Sequence, residues 1–226
     1  MAALSVFDGS EEWRWTGDAP AIGASPIISV IDEQVQLVFK SEEKIVGLDP
    51  RSGKEFWQIP FKVQMDNTIV TPLVIDDQLI TSDYRMGLRS WRIFSDGESW
   101  EARELWKNDR VCMFMSSPVF AAGQLVAFSD FRKGELIGLD PGDGSIMWRG
   151  EPRSGEYATL ISWGEDVMAF LEDGSLVVGK VSRDRFQILQ RYRLGGSKMW
   201  THPAISDNRI VIRDGSRLVV FQLAER

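Results

Sequence analysis

The sequence predicts an all-β fold made of repeated four-stranded antiparallel sheets. The first observation is an internal repeat: the segment Val46–Gly–Leu–Asp–Pro–Arg–Ser–Gly–Lys–Glu–Phe–Trp57 returns almost unchanged as Ile137–Gly–Leu–Asp–Pro–Gly–Asp–Gly–Ser–Ile–Met–Trp148. The copies are 91 residues apart, roughly twice the 40–50 residues of one β-propeller blade. The second observation is that short strand-like runs alternate with turn residues along the chain. A module of this size cannot bury its apolar faces alone, which implies a stacked or circular array of modules.

Each module is predicted to begin with a short strand after a small residue and a proline, as at Ser25–Pro26 and Thr71–Pro72. Second and third strands follow, separated by turns rich in Asp, Gly and Asn. The predicted first strands are Ile27–Ile31, Leu73–Ile75, Val119–Ala121, Leu160–Trp163 and Ala204–Ser206. The fourth strands carry an aromatic anchor at Trp57, Trp106, Trp148 and Tyr192. This pattern predicts a β-propeller with about five blades, forming a single domain over residues 1–226.

The two ends of the sequence leave the closure of the ring open. The segment Phe7–Trp15 reads as a shortened turn and fourth strand, and the last predicted strand, ending at Leu223, is a third strand. Pairing of the N-terminal strand with the last three strands would close a ring and remove two open sheet edges. The alternative is that the chain is part of a larger propeller.

Three residue types in the repeated turn have structural roles. Asp49 is expected to accept hydrogen bonds from backbone N–H groups two or three residues ahead. Gly53 is expected to adopt a conformation that a Cβ would strain. Trp57 is expected to pack between adjacent blades, where a buried aromatic removes about 150–250 Å² from water. The corresponding residues of the second copy are Asp140, Gly144 and Trp148.

Composition excludes several classes of function. The net charge of −7 and pI near 4.9 disfavour nucleic-acid binding, because an acidic surface repels phosphates. No apolar stretch is long enough to predict a transmembrane segment. A single cysteine, Cys112, excludes an internal disulfide framework. The N-terminus lacks the pattern of a secretory signal, and the compartment stays open.

The string Gly–Leu–Asp–Pro–x–x–Gly–x–x–x–Trp resembles the tryptophan-docking repeat of the pyrroloquinoline-quinone-like (PQQ-like) β-propellers. This superfamily includes quinoprotein alcohol dehydrogenases and the propeller lipoprotein of the outer-membrane β-barrel assembly machinery. Residues 47–57 and 138–148 match well, whereas the modules around 95–106 and 181–192 depart from the pattern. The resemblance implies a β-propeller and a periplasmic or secreted location. It implies no cofactor, because most proteins with this repeat bind no quinone.

The alternative to a binding protein is an enzyme, either a remnant PQQ-dependent dehydrogenase or a glycan-acting propeller. The first would need a metal ion beside the quinone, an aspartate base and often a vicinal cysteine pair, and the chain offers only Cys112. The second would need two facing carboxylates, and the predicted first strands contain none. His202 is the single histidine and has no local triad or metal partners. We therefore predict no catalytic, cofactor-binding or metal-binding residue.

In propellers, the loops that enter first strands and those that join second to third strands share the face around the channel mouth. Here these loops carry methionines, aromatic residues and arginines, which are enriched at interface cores. Two of them, Ser82–Gly87 and Ser129–Gly134, share the pattern Ser–Asp–aromatic–Arg–x–Gly. A local explanation is that Asp caps the turn, Arg pairs with Asp, and the aromatic residue packs under the neighbouring blade.

The functional interpretation is a non-catalytic scaffold that binds a protein or peptide on this face, with a small molecule or glycan as the other ligand class. Phe114, Met113, Met199 and Trp200 would be buried by the partner, and Arg85 and Arg132 would orient it. We call the predicted contact residues the rim: Met65, Tyr84, Arg85, Met113, Phe114, Phe131, Arg132, Tyr157, Met199, Trp200 and His202.

Overall fold

A computed structural model describes residues 1–20, 23–63, 69–196 and 198–223. In this part of the chain, 21 β-strands form six antiparallel sheets, four of which have four strands each. The chain divides into two compact units. The all-β fold with four-stranded antiparallel blades is confirmed.

The first unit comprises Met1–Pro118 and Gly142–Gly144. Its first sheet has two strands, β1 (Ala2–Leu4) and β2 (Glu11–Arg14). The second sheet contains β3 (Ile27–Ile31), β4 (Gln34–Lys40), β5 (Lys44–Leu48) and β6 (Glu55–Pro60). The third sheet contains β7 (Leu73–Ile75), β8 (Gln78–Asp83), β9 (Gly87–Ser95) and β10 (Trp100–Asn108).

The second unit comprises Val119–Pro141 and Ser145–Arg226. Its first sheet contains β11 (Val119–Ala121), β12 (Gln124–Ser129), β13 (Glu135–Leu139) and β14 (Ile146–Arg149). The next contains β15 (Ala158–Trp163), β16 (Asp166–Leu171), β17 (Ser175–Ser182) and β18 (Arg185–Arg193). The last described sheet has three strands, β19 (Ala204–Ser206), β20 (Arg209–Asp214) and β21 (Arg217–Gln222).

Every four-stranded sheet is a simple meander in which consecutive strands pair. Tight turns make this possible, and several use left-handed backbone conformations; Gly123, between β11 and β12, has φ 74°. The two sheets that carry the repeated turn share a further irregularity. The register shifts between Gly47 and Leu48 in one sheet and between Gly138 and Leu139 in the other. The two copies of the repeated segment, 91 residues apart, therefore share backbone geometry as well as sequence.

Apolar residues from neighbouring sheets form the core of each unit. In the first unit, Trp57 of β6 belongs to one cluster with Val38 of β4, Leu79 of β8 and Trp91 of β9. In the second unit, Trp148 of β14 clusters with residues of its own sheet and with β15–β17, Leu160 and Val167 among them. The fourth-strand tryptophans thus pack between adjacent sheets, as the sequence predicted.

The N-terminal segment pairs with a strand that the sequence did not indicate. Two alternatives were left open: Phe7–Trp15 completes the last sheet, or the chain is part of a larger propeller. In the structure, Trp13 of β2 pairs with Ala3 of β1, so β1 occupies the third-strand position beside it. The turn and fourth-strand reading of this segment was right, but its partner is a short strand formed by residues 2–4.

Candidate functional site

The turn after β5 has the hydrogen bonds that its sequence predicts. The backbone N–H of Arg51 donates to Asp49 Oδ1 at 2.9 Å, and the Ser52 hydroxyl donates to Asp49 Oδ2 at 2.7 Å. These hydrogen bonds favour the ionised form and hold the pKa of Asp49 below its ordinary value. Gly53 has φ 71°, a conformation that few residues other than glycine adopt. Asp49 therefore stabilises a turn that presents Gly53.

Turn glycines receive a tryptophan from the preceding fourth strand. A Cβ on Gly53 would lie 2.5 Å from Trp13 Cε3, and the Trp13 indole N–H donates to the carbonyl of Pro50 at 3.1 Å. Gly144 lies against Trp106 in the same way, because a Cβ there would be 2.4 Å from Trp106 Cε3. These contacts leave no room for any larger residue at either turn.

Trp57 and Trp148 are held differently, by a glutamine that the sequence analysis missed. The Trp57 indole N–H donates to Gln36 Oε1 at 2.6 Å, and the Trp148 indole N–H donates to Gln124 Oε1 at 2.8 Å. Each indole also lies against a third-strand glycine: a Cβ on Gly47 would be 2.3 Å from Trp57. The available signal was a glutamine directly before a Leu at the same register of two second strands, Gln36 in β4 and Gln124 in β12.

In the first unit, the rim residues Tyr84, Arg85 and Phe114 form a cluster. The rings of Tyr84 and Phe114 are 5.1 Å apart, and the Arg85 guanidinium lies 5.1 Å from the centre of the Tyr84 ring. Arg85 is exposed and has φ 58°, although it is not a glycine. Met113, in contrast, is fully buried, so its predicted direct contact with a partner is wrong. The predicted rim residue Met65 lies outside the described residues.

In the second unit, Tyr157 and Trp200 form a stacked pair with ring centres 4.7 Å apart. Trp200 is 59% exposed, whereas Tyr157 is buried, and its hydroxyl donates to the carbonyl of Met199. Burial raises the pKa of Tyr157 to about 12, and the nearby carboxylates of Glu172 and Glu156 act in the same direction. The Lys198 ammonium lies 5.8 Å from the Trp200 ring centre. The result is a large exposed ring supported from below.

Two further predictions for the second unit need correction. Met199 and Tyr157 are each only 5% exposed, so they support the rim from beneath and do not present their own surfaces. The reason is that the same loop turns Trp200 outward and Met199 inward, toward a core cluster that includes Phe170 and Ile210. His202 is exposed.

The repeated Ser–Asp–aromatic–Arg–x–Gly pattern does not produce the expected Arg–Asp pair. Asp83 is fully buried and instead binds the Lys40 ammonium. Arg132 binds the buried carboxylate of Glu135, with Nη1 and Oε2 2.8 Å apart, and Phe131 beside it is 40% exposed. What the copies share is backbone geometry, because Arg132 has φ 55°, close to the value of Arg85.

Two kinds of feature are absent from the described residues. Within the described ranges, no group of three or more His, Cys, Asp or Glu side chains is arranged to hold a metal ion. In the same part of the chain, no helix has the length and apolar character needed to cross a bilayer. Cys112 is buried, and its Sγ donates to the carbonyl of Asp83 at 3.2 Å.

Solved structures with the same fold include BamB from Moraxella catarrhalis, with 17% identity and a TM-score of 0.68. That match covers 97% of this chain and 66% of the BamB chain, so this chain spans slightly less than two thirds of it. The computationally designed Ika8 protein is similar at 13% identity and TM-score 0.60, over 97% of this chain and 76% of that chain. The β-propeller domain of Cps50 (Swd1) from Myceliophteria thermophila is similar at 13% identity and TM-score 0.58, over 83% of this chain and 66% of that chain.

At these identities the structural similarities establish the fold alone. No curated protein matches this sequence. The sequence itself, however, matches the family described as outer membrane protein assembly factor BamB, over residues 1–148 and 99–214. Those ranges include both docking turns and the whole rim. The chain therefore belongs to the BamB family of β-propeller proteins.

Proposed function

We propose that this protein is a non-catalytic scaffold that binds a protein or an extended peptide on its rim. The observation that carries the proposal is the exposed indole of Trp200, stacked at 4.7 Å on the buried ring of Tyr157. Tryptophan is among the residues that contribute most to binding energies. Because the ring beneath restricts its movement, Trp200 loses little conformational freedom when a partner covers it.

An exposed arginine in each unit supports the same proposal. Arg85 in the first unit and Arg132 in the second have left-handed backbone conformations and exposed positions. Such a conformation costs a non-glycine residue roughly 1–3 kcal/mol, and strain of this kind concentrates at functional sites. A glycine would avoid this cost, so an arginine at both positions favours a role for the side chain. A guanidinium can orient a partner by binding its carboxylates or backbone carbonyls.

The family to which the chain belongs points to a class of partner. Its description is that of an outer membrane protein assembly factor. We infer that the partner of this chain is a protein taking part in outer membrane assembly, and that the chain acts in the periplasm. The acidic net charge of −7 is compatible with a protein partner and disfavours nucleic acid.

A peptide library displayed on phage and selected against the immobilised protein tests the rim directly. We expect selected peptides to bind Trp200→Ala at least about tenfold more weakly than wild type, as for a hot-spot tryptophan. Phe114→Ala should also weaken binding. The matched control is Trp163→Ala, because Trp163 is 56% exposed but lies at the end of β15, outside the rim.

Circular dichroism and thermal melting of each variant separate lost binding from lost folding. Equal losses of peptide affinity in Trp200→Ala and Trp163→Ala would contradict the proposal. So would unfolding of both Trp200→Ala and Phe114→Ala, because these side chains would then belong to the core.

A further inference from the structure

A groove on the second unit is lined by residues outside the rim and has a different chemical character. It has a volume of about 460 Å³ and is lined by residues of β13, β14 and β16–β18 and of the loop after β14. Its floor is apolar and consists of Leu136, Leu171, Val177, Phe186 and Ile188. The volume falls within the roughly 300–1,000 Å³ typical of small-molecule sites.

The groove results from unequal outer strands. β14 has four residues and β18 has nine. After β14 the chain leaves the sheet at Gly150, whose N–H donates to the carbonyl of Leu136 at 2.7 Å. The short strand β14 therefore covers only part of β18. Ile188 of β18 is 41% exposed. An apolar surface is left open beside polar walls.

Two arginines, Arg149 and Arg191, line this apolar floor. Arg149 is positioned by Glu135, a fully buried carboxylate that also binds Arg132. Together, Arg132, Arg149 and Glu135 carry one excess positive charge. Arg191 lies 3.6 Å from Glu151, and both side chains are at least half exposed. Exposed ion pairs of this kind contribute little free energy, so a ligand carboxylate can replace Glu151.

We propose that this groove binds a linear alkyl carboxylate, namely a free fatty acid of medium chain length. The alkyl chain would cover Phe186 and Ile188, and the carboxylate would bind Arg149 and Arg191. Guanidinium groups match carboxylates in geometry and charge, and a desolvated alkyl chain supplies the remaining affinity. The excess positive charge in a chain of net charge −7 favours an anionic occupant over a neutral one.

Isothermal titration with dodecanoate, below the concentration at which it forms micelles, tests the proposal on the full chain. Arg191→Gln should weaken dodecanoate binding about tenfold, the effect of losing one charge-assisted contact. The matched control is Arg103→Gln, which changes an arginine that is 72% exposed on β10 of the first unit. This variant should bind dodecanoate as wild type does. Ile188→Glu, on the floor, should abolish binding.

Uncharged and peptide probes separate this ligand from other occupants. 1-Dodecanol should bind wild type about tenfold more weakly than dodecanoate does. Its affinity for Arg191→Gln should equal its affinity for wild type. Equal affinity of the alcohol and the acid for wild type would overturn the proposal, as would an unchanged Kd in Arg191→Gln or absence of dodecanoate binding. Tighter binding of an aliphatic peptide with a free C-terminal carboxylate would also overturn it. Because Arg191 is exposed, its substitution tests the groove without threatening the fold.

Discussion

Lys40 and Asp83 form a fully buried ion pair in the first unit, with Nζ and Oδ2 2.5 Å apart. The ammonium also donates to the carbonyl of Ser82 at 2.7 Å and lies 5.0 Å from the ring centre of Phe61. Burial lowers the pKa of Lys40 to about 8 and raises the pKa of Asp83, because each charged form loses hydration. The pair joins β4 of one sheet to β8 of the next.

Replacing one member of this pair should destabilise the protein strongly. Lys40→Met leaves the carboxylate of Asp83 buried without its cation, and we expect the unfolding free energy to fall by about 3–5 kcal/mol. Urea denaturation measures this. Lys62→Met is the control, because Lys62 pairs with Glu43 where both side chains are about half exposed or more. That change should cost less than about 1 kcal/mol. Similar losses in the two variants would contradict the role given to the buried pair.

Tyr157 should make stability depend on alkaline pH. Its folded-state pKa of about 12 is above the ordinary value of 10.0. Between these values the unfolded chain releases the phenol proton and the folded chain keeps it, so the unfolding free energy falls as pH rises. Below about pH 10 this contribution is fully present. We expect a shallower decline in Tyr157→Phe than in wild type from about pH 10 to about pH 12, measured by urea denaturation. Parallel declines would refute the assignment.

Replacing the glutamine that accepts the Trp57 indole N–H should destabilise the protein more than replacing its exposed neighbour. Gln36 is fully buried and accepts the Trp57 indole N–H, whereas Gln34, two residues earlier on β4, is exposed. Gln36→Leu leaves a buried N–H without an acceptor, which costs about 1–3 kcal/mol. Gln34→Leu should change stability by less than about 0.5 kcal/mol. Thermal melting of the two variants checks this, and equal melting temperatures would show that the hydrogen bond contributes nothing.

Local sequence pattern predicted the strands well because their length and turns depend on neighbouring residues. The first strands Leu73–Ile75, Val119–Ala121 and Ala204–Ser206 have the predicted bounds. The fourth-strand anchors Trp57, Trp106 and Trp148 were also predicted, since Asp, Gly and Trp recur at fixed spacing in two of these modules. Tyr192 was wrong as the fourth anchor: it is 49% exposed, and Phe186 of the same strand lies against the third-strand Gly179 instead. The pairing of Ala2–Leu4 with Glu11–Arg14 was not predicted, because the choice of partner strand depends on the fold and not on the local pattern.

The candidate site was harder to predict, because burial within a loop depends on the rest of the fold. Met199 and Trp200 are neighbours of similar apolar character, yet the first is buried and the second exposed. No local pattern distinguishes them. In the same way, Lys40 and Asp83 are 43 residues apart, and only the packing of two sheets brings their charges together.

The central structural claim is that a fourth-strand tryptophan packs on the glycine of the repeated turn, as Trp106 does on Gly144. Gly144 and Gly123 both have left-handed backbones, with φ 71° and 74°. A Cβ at Gly144 would meet Trp106 at 2.4 Å, whereas a Cβ at Gly123 would meet nothing within 4 Å. Comparing the two alanine variants therefore separates steric conflict from backbone strain.

The direct measurement is the unfolding free energy of Gly144→Ala and Gly123→Ala by urea denaturation. Backbone strain alone should cost each variant about 1–2 kcal/mol. The conflict with Trp106 should cost Gly144→Ala about 1–3 kcal/mol more, and Trp106→Ala should remove that excess in a double-mutant cycle. Equal losses in the two glycine variants would contradict the docking of Trp106 on the repeated turn.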